Sequence, residues 1–209
     1  MGFTTGDNDD DDDIDDDKQN NDRPSIMPRG VHTRIQEINS PQELADFLYQ
    51  DDDRICVIKF HASWCKSCQR MGLKFQNFVN QHGDWIQGQA RYSDCDEREV
   101  LREGRYRFAS IEQGANAGIF KELQVNRLPF VHLYADGKQL AGFPCGATRF
   151  YNLREHLDVH EQERTGKPTA SGSSFAVAKT TTTFTPELLN KIIAMDAKGE
   201  LKSARKTAL

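Results

Sequence analysis

The residues from Ile55 to Arg70 constrain the fold of this chain more than any other stretch. A run of apolar and β-branched residues leads without a turn signal into Cys65-Lys66-Ser67-Cys68, and apolar residues then recur at helical spacing as far as His82. The pattern predicts a central strand that feeds directly into a helix. Cys65 falls in the first helical turn, where unpaired backbone N–H groups and the positive end of the helix dipole favour a thiolate. Cys68 lies one turn further along the same face, so the two sulfurs can react with each other.

A zinc site is the alternative interpretation of a Cys-x-x-Cys pattern. Such a site needs a second pair of ligands at short spacing. The other three cysteines stand far apart in the sequence, at Cys56, Cys95 and Cys145. The sequence therefore favours thiol–disulfide exchange over metal binding.

The segment from Trp64 to Cys68 resembles the Trp-Cys-x-x-Cys active site of thioredoxins. Leu128-Pro129-Phe130 precedes an apolar run, as the cis-proline of that family does, and Gly146 stands near the family's groove-lining glycine. The resemblance spans residues 31 to about 163. It implies an α/β thioredoxin fold, a central mixed sheet flanked by helices. Residues 128–134 and 143–145 most resemble the atypical cysteine- and histidine-rich thioredoxins of chloroplasts.

The resemblance also implies roles for individual residues. Cys65 would be the nucleophile and Cys68 the resolving cysteine. Five further residues would bind the substrate strand: Trp64, Lys66, Leu128, Pro129 and Gly146. Cys145 precedes that glycine directly and is a candidate regulatory thiol, with a buried packing residue as the alternative.

The implied function is reduction of protein disulfides, with a part in cell redox homeostasis. No metal, nucleotide or flavin cofactor is expected, and the domain is expected to act as a monomer. Its partners would be disulfide-containing target proteins and an external electron donor, with a reductase, a ferredoxin-linked system and glutathione all left open. The alternative is a redox-responsive adaptor without efficient turnover. A glutaredoxin is disfavoured because no Gly-Gly-x-Asp pattern follows the proline, and no basic aromatic module indicates nucleic-acid binding.

Lys59 departs from the pattern of the family. Many thioredoxins have a buried aspartate six residues before the first active-site cysteine, where it helps to move protons to and from the second. A lysine keeps its charge there only if its ammonium reaches water or a carboxylate. Glu112 and His61 are the candidate substitutes for the missing acid.

The negative charge of the chain is concentrated at its N-terminus. The net charge is −5 overall and −9 over residues 1–22, which leaves +4 for the remainder. Nine aspartates between Asp7 and Asp17 predict a disordered, solvated tail over residues 1–29. An EF-hand is excluded, because a loop counted from Asp9 has Ile14 where glycine is needed and Asn20 where glutamate is needed.

Composition divides the rest of the chain. We expect a thioredoxin domain over residues 30–165 with an insertion at about 84–104, and a linker rich in Gly, Ser and Thr over residues 166–185. Residues 186–209 are expected to form a short amphipathic helix and a basic tail. Like the N-terminal tail, the C-terminal tail is expected to be disordered.

The sequence has no signal-peptide pattern and no run of about 18 apolar residues that would span a membrane. Five cysteines do not suggest a secreted disulfide framework. The acidic N-terminus is the opposite of a plastid transit peptide, which is rich in Ser and Arg. We therefore expect a protein that is not secreted, located in the plastid or the cytoplasm.

Several local patterns predict individual elements. Val31 to Ile38 alternates as a first strand, and Ser40-Pro41-Gln42-Glu43 is a capping box that opens a helix. A short charged helix is expected within residues 95–104. Asp136-Gly137 turns a hairpin. A last helix from about Thr148 to Glu163 carries His156 and His160 one turn apart, and we expect a solvated pair rather than a pair of metal ligands.

Overall fold

The computed structural model describes residues 27–50, 52–87, 99–114 and 116–166. The predictions for both tails, the linker and Cys95 lie outside these residues. The elements in chain order are β1 (Val31–Thr33), β2 (Gln36–Glu37), α1 (Pro41–Leu48), β3 (Cys56–His61), α2 (Lys66–His82), β4 (Trp85–Gln87), β5 (Val100–Arg102), β6 (Arg107–Glu112), α3 (Ala117–Glu122), β7 (Phe130–Ala135), β8 (Lys138–Pro144), a 3₁₀ turn (Ala147–Arg149) and α4 (Tyr151–Thr165). None of the described helices has the length and apolar character needed to cross a membrane.

The main sheet is mixed and has five strands in the order β2-β6-β3-β7-β8. Strands β2, β6 and β3 run parallel, and β7 and β8 complete the sheet as an antiparallel hairpin. Strand β3 is central, as its dense apolar sequence predicted. Its C-terminal end leads to the two cysteines, so the sheet supports them rigidly.

The two faces of the sheet carry separate hydrophobic cores, because successive side chains of a strand point to opposite sides. Val57 belongs to the core that α2 and α4 cover, with Phe75 and Leu153 contributed by those helices. Ile58 belongs to the opposite core. Helices α1 and α3 cover that core, and α1 contributes Phe47 to it. The predicted α/β fold with helices flanking a mixed sheet is confirmed.

The predicted first strand is divided into two. Strand β1 pairs antiparallel with β4, whereas β2 pairs parallel with β6 of the main sheet. Between them the backbone N–H of Arg34 donates to the carbonyl of Asp84 at 3.0 Å. A change of pairing partner in mid-strand depends on distant residues, so the alternation of the sequence predicted one continuous strand.

The helix predicted within residues 95–104 was wrong over its described part. Residues Val100–Arg102 form strand β5, which completes a small sheet in the order β1-β4-β5. The guanidinium of Arg102 stacks over the Trp85 ring, 3.9 Å from the centroid, and holds β5 against β4. This cross-strand pairing overrides the weak helical preference of a short charged run.

Local signals predicted other elements correctly. Helix α1 begins after Ser40, whose Oγ accepts the N–H of Glu43 at 3.2 Å, and Pro41 takes the first helical position. The β7–β8 hairpin turns on Asp136 and Gly137, both with positive φ, as a two-residue turn of this type requires. Both features are confirmed because each depends on only a few neighbouring residues.

The prediction of a solvated histidine pair on α4 was wrong. His160 is buried and its Nδ1 lies 3.1 Å from Oε2 of Glu163. The His156 ring stacks on Phe143 with centroids 4.1 Å apart. Burial is the main cause that lowers the pKa of His156, and the charge of His160 lowers it further. The histidines lie on the face of α4 that packs against β8, and only the tertiary structure identifies that face. Among the described residues, no group of three or more His, Cys, Asp or Glu side chains is arranged to hold a metal.

Candidate active site

Cys65 and Cys68 lie where β3 passes into α2, and a disulfide joins them with Cα atoms 5.2 Å apart. Cys65 is the N-cap of the helix, and its Sγ accepts the backbone N–H of Cys68 at 3.2 Å. An acceptor at this position satisfies one of the unpaired donors of the first turn and lies at the positive end of the helix dipole. The same field stabilises negative charge on the Cys65 sulfur when the disulfide is open.

The two sulfurs differ in their surroundings. Cys65 lines an open surface pocket of about 460 Å³, together with Trp64, Lys66 and Ser67. The Oγ of Ser67 lies 3.2 Å from Cys65 Sγ, and Trp64 is 73% exposed. Cys68 is buried to a similar extent but does not line the pocket, and it lies on the buried face of α2. A second molecule can thus approach Cys65 from the pocket while Cys68 remains behind it.

The loop between α3 and β7 forms the opposite wall of the pocket. Leu128 lines it and packs against the small cluster formed by Ala62, Cys65 and Cys68. The Leu128–Pro129 peptide bond is cis, and the Pro129 carbonyl accepts the N–H of Cys145 at 3.0 Å. Gly146 follows directly and precedes the 3₁₀ turn. The structure thus brings three substrate-binding candidates to the pocket: Trp64, Lys66 and Leu128. Pro129 and Gly146 are not among its lining residues. The hydrogen bond between Cys145 and Pro129 instead links Gly146, the neighbour of Cys145, to the segment that carries Leu128.

Sequence reasoning missed four residues of this pocket: Gln113, Val125, Asn126 and Arg127. They come from the loops that follow β6 and precede β7. Arg127 adjoins the Leu128-Pro129 pair in the sequence, and that adjacency was the only available signal. Gln113 is far from both motifs in the chain and carried no signal at all.

Cys145 is fully buried in the core beneath α2 and α4. Burial raises the pKa of its thiol to about 12, so it carries almost no thiolate at neutral pH. Because the thiolate is the reactive form, this environment favours the packing interpretation over the regulatory one. Cys56 has a similar environment, and burial raises the pKa of its thiol to about 11.

Lys59 belongs to a polar row that crosses the sheet beneath α2. It pairs in register with Ser110 of β6, which in turn pairs with Glu37 of β2. The Lys59 ammonium lies 5.0 Å from the centre of the Phe75 ring. Burial lowers the pKa of Lys59, and the charge of Glu37 opposes that shift. Within the described ranges, Lys59 has no salt bridge.

Glu112 and His61, the candidate substitutes for the missing acid, lie nearby. The Glu112 Oε1 accepts the backbone N–H of Ser63 at 3.2 Å, so this carboxylate holds the turn that leads to Trp64. Burial and the charge of Lys59 lower the pKa of His61, against the opposing effect of Glu112. Whether either group exchanges protons with Cys68 stays a prediction.

We expect Lys59→Met to increase the free energy of unfolding by about 1 kcal/mol at neutral pH, because the half-buried ammonium loses hydration without a close carboxylate. The lowered pKa of Lys59 means that this penalty is full at low pH and disappears as the pH rises towards the unfolded value, about 10.4. The advantage of the variant should therefore shrink with rising pH in urea unfolding experiments. Lys121→Met on the exposed face of α3 is the control and should show neither effect. A destabilised Lys59→Met protein at neutral pH would mean that the contact with Phe75 outweighs the desolvation.

Comparison with known proteins identifies the family. The family model described as thioredoxin matches residues 37–158, more than half of the chain. The chain belongs to the thioredoxin family. Its thioredoxin fold and its closely spaced Cys65–Cys68 pair are those expected of such a protein, and the redox interpretation of the motif agrees with the family.

The similar proteins include several from chloroplasts. The rice protein "Thioredoxin-like 2, chloroplastic" is 25% identical over 145 residues, which cover 68% of this chain and 57% of the rice protein. The Arabidopsis thaliana "Thioredoxin-like 2-2, chloroplastic" is 26% identical over 115 residues, which cover 54% of this chain and 39% of that protein. The chain thus spans about half the length of these curated relatives. The long form of spinach chloroplast thioredoxin f matches 61% of this chain and 87% of its own with 14% identity and a TM-score of 0.47.

Proposed function

We propose that this protein reduces disulfide bonds of other proteins by dithiol exchange at Cys65 and Cys68. The observation that carries the proposal is the placement of the two sulfurs. Cys65 Sγ lies at the start of α2, accepts the N–H of Cys68 and opens to a surface pocket, while Cys68 is held directly behind it. Cys65 thus lines the pocket that a target can enter, whereas Cys68 does not line it, as a two-step exchange requires.

In the first step the Cys65 thiolate attacks one sulfur of the target disulfide. The target S–S bond breaks, a mixed disulfide forms with Cys65, and the departing target sulfur takes up a proton. In the second step the Cys68 thiolate attacks the Cys65 sulfur, the Cys65–Cys68 disulfide forms, and the second target thiol leaves with a proton. Two electrons pass to the target, and an external reductant must then return two electrons to the protein. The physiological donor is a reductase, a ferredoxin-linked system or glutathione.

The pocket supplies the binding surface in this proposal. Trp64 and Leu128 would contact the target on either side of Cys65, and the backbone at Leu128 would pair with the target chain as an added strand. Pro129 and Gly146 would support that backbone from behind. The chemistry requires no cofactor beyond the two cysteines.

The relatives support a plastid location for this protein, since several carry the word chloroplastic in their names. We propose further that residues 30–165 act as one catalytic domain as a monomer, with residues 1–29 and 166–209 as its flanking segments. The family match over residues 37–158 supports these bounds.

A redox-responsive adaptor is the second candidate function. The observation that favours it is Lys59, a cation in the row beneath α2 where a proton-accepting carboxylate would assist Cys68. An adaptor would form the Cys65–Cys68 disulfide once and respond to it without repeated turnover. The two candidates differ in the rate at which they process many equivalents of substrate.

Insulin reduction in the presence of dithiothreitol distinguishes them. Catalytic amounts of the purified protein should precipitate the insulin B chain several-fold faster than dithiothreitol alone. The double variant Cys56→Ser/Cys145→Ser should retain this activity, because both thiols are buried and take no part in the exchange. A rate equal to that of dithiothreitol alone would favour the adaptor.

A further inference from the structure

The pocket beside Cys65 has a marked imbalance of charge. Two basic side chains line it, Lys66 from the first position of α2 and Arg127 from the loop before β7, and none of the acidic side chains that the structure describes lines it. Two separate elements therefore direct positive charge to one pocket. Both side chains are exposed, and in the part of the chain that the structure describes neither forms an ion pair within 4 Å.

The acid nearest in sequence to the pocket lining is already engaged. Glu112 adjoins the lining residue Gln113, but its Oε1 accepts the N–H of Ser63, and it does not line the pocket itself. By contrast, the arginines at the far end of the sheet are neutralised. Arg54 pairs with Asp52 and Asp84, and Arg164 pairs with Asp136.

We infer that this pocket selects protein disulfides flanked by acidic residues, with Lys66 and Arg127 as the residues that determine this specificity. The inference rests on the proposed function and names the class of its substrates. Carboxylates beside a target disulfide repel an incoming Cys65 thiolate, and two cations at the rim offset that repulsion as the mixed disulfide forms. Gln113 and Asn126 add amide groups that can donate to the same carboxylates.

The size of the effect follows from the exposure of the two cations. Exposed ion pairs contribute little individually, so each cation should change the rate on an acidic substrate by at most about fivefold. The contribution should also fall as salt is added, because screening at physiological ionic strength acts over about 8 Å. Selectivity that disappears in high salt is therefore part of the inference.

Three synthetic peptides with one internal disulfide test it. They are identical except for the residues that flank the two cysteines, which are Asp in the first peptide, Asn in the second and Lys in the third. The measured quantity is kcat/KM for reduction by the full chain, expressed as the ratio of the Asp peptide to the Asn peptide. A ratio within one protein cancels any effect of a substitution on the reactivity of Cys65 itself.

At low salt we expect a ratio of about two to ten for the unmodified protein. Arg127→Gln and Lys66→Gln should each lower the ratio towards one, by at most about fivefold, and Arg127→Glu should reverse the preference in favour of the Lys peptide. Lys138→Gln is the matched control. It removes the same charge from the end of the sheet opposite Cys65, where Lys138 pairs with Ala135, and it should leave the ratio unchanged.

A ratio of one for the unmodified protein would overturn the inference, as would a ratio that Lys138→Gln lowers as much as Arg127→Gln does. Efficient reduction of the Asn peptide in either case would leave the proposed function intact. If the protein reduced none of the three peptides faster than the reductant alone does, the proposed function would instead be contradicted.

Discussion

A Cys68→Ser variant should accumulate as a covalent mixed disulfide with a protein target, whereas the unmodified protein releases the target within the same incubation. The reason is the division of labour between the two sulfurs. Cys65 lines the open pocket and can still attack, but a serine hydroxyl in place of the buried Cys68 thiol cannot resolve the intermediate. Incubation of the reduced variant with excess insulin should convert most of it to the adduct. Non-reducing electrophoresis and intact mass measurement detect the adduct, and dithiothreitol should remove it.

The matched control for this experiment is Cys65→Ser. That variant retains Cys68, which lies on the buried face of α2, and it should form no adduct and show no insulin reduction above dithiothreitol alone. Equal trapping by both single variants would mean that the sulfurs are interchangeable, which would contradict the assigned roles. Adduct formation through Cys56 or Cys145 would show that burial does not prevent those thiols from reacting.

Asp84→Ala should cost about 3 kcal/mol in the free energy of unfolding, because it removes one partner from a largely buried ion pair and leaves a backbone donor unsatisfied. The Oδ1 of Asp84 accepts from Arg54 at 2.6 Å and from the N–H of Gly104 at 2.7 Å. Arg54 also donates to the carbonyl of Gly104 at 3.0 Å. These contacts join the segment before β3 and the loop between β5 and β6 to the junction of α2 and β4, so their loss should loosen the small sheet first.

Urea unfolding measures the loss, and hydrogen exchange locates it at the amide of Gly104. Asp84→Asn retains an acceptor for that amide but removes the charge, and it should therefore cost less than the alanine variant. Asp46→Ala on the exposed face of α1 is the control and should change stability by no more than about 0.5 kcal/mol. A cost for Asp84→Ala as small as that of the control would mean that Asp52 alone satisfies Arg54.

Proximity in the chain explains which parts of the site could be predicted. The strand, the two cysteines and helix α2 are contiguous, so hydrophobic periodicity and capping preferences locate them within one segment. Leu128 and Pro129 were found because the pair matches a family motif. Arg127 was missed because its place in the pocket depends on how two elements that are distant in the chain face each other, and no pattern in residues 113–128 records that geometry.

Sequence alone determined the features that depend on a few neighbouring residues. These are the junction at Cys65, the cap of α1 at Ser40 and the turn at Asp136, where backbone preferences and single hydrogen bonds decide the conformation. Tertiary structure decided the features that depend on which surfaces meet. The pairing of β5 with β4, the burial of Cys145 and His160, and the placement of Lys66 and Arg127 in one pocket all follow from the packing of helices and strands that are far apart in the chain. A side chain's local sequence does not reveal which distant surface will cover it, and that covering sets its exposure, its pKa and its partners.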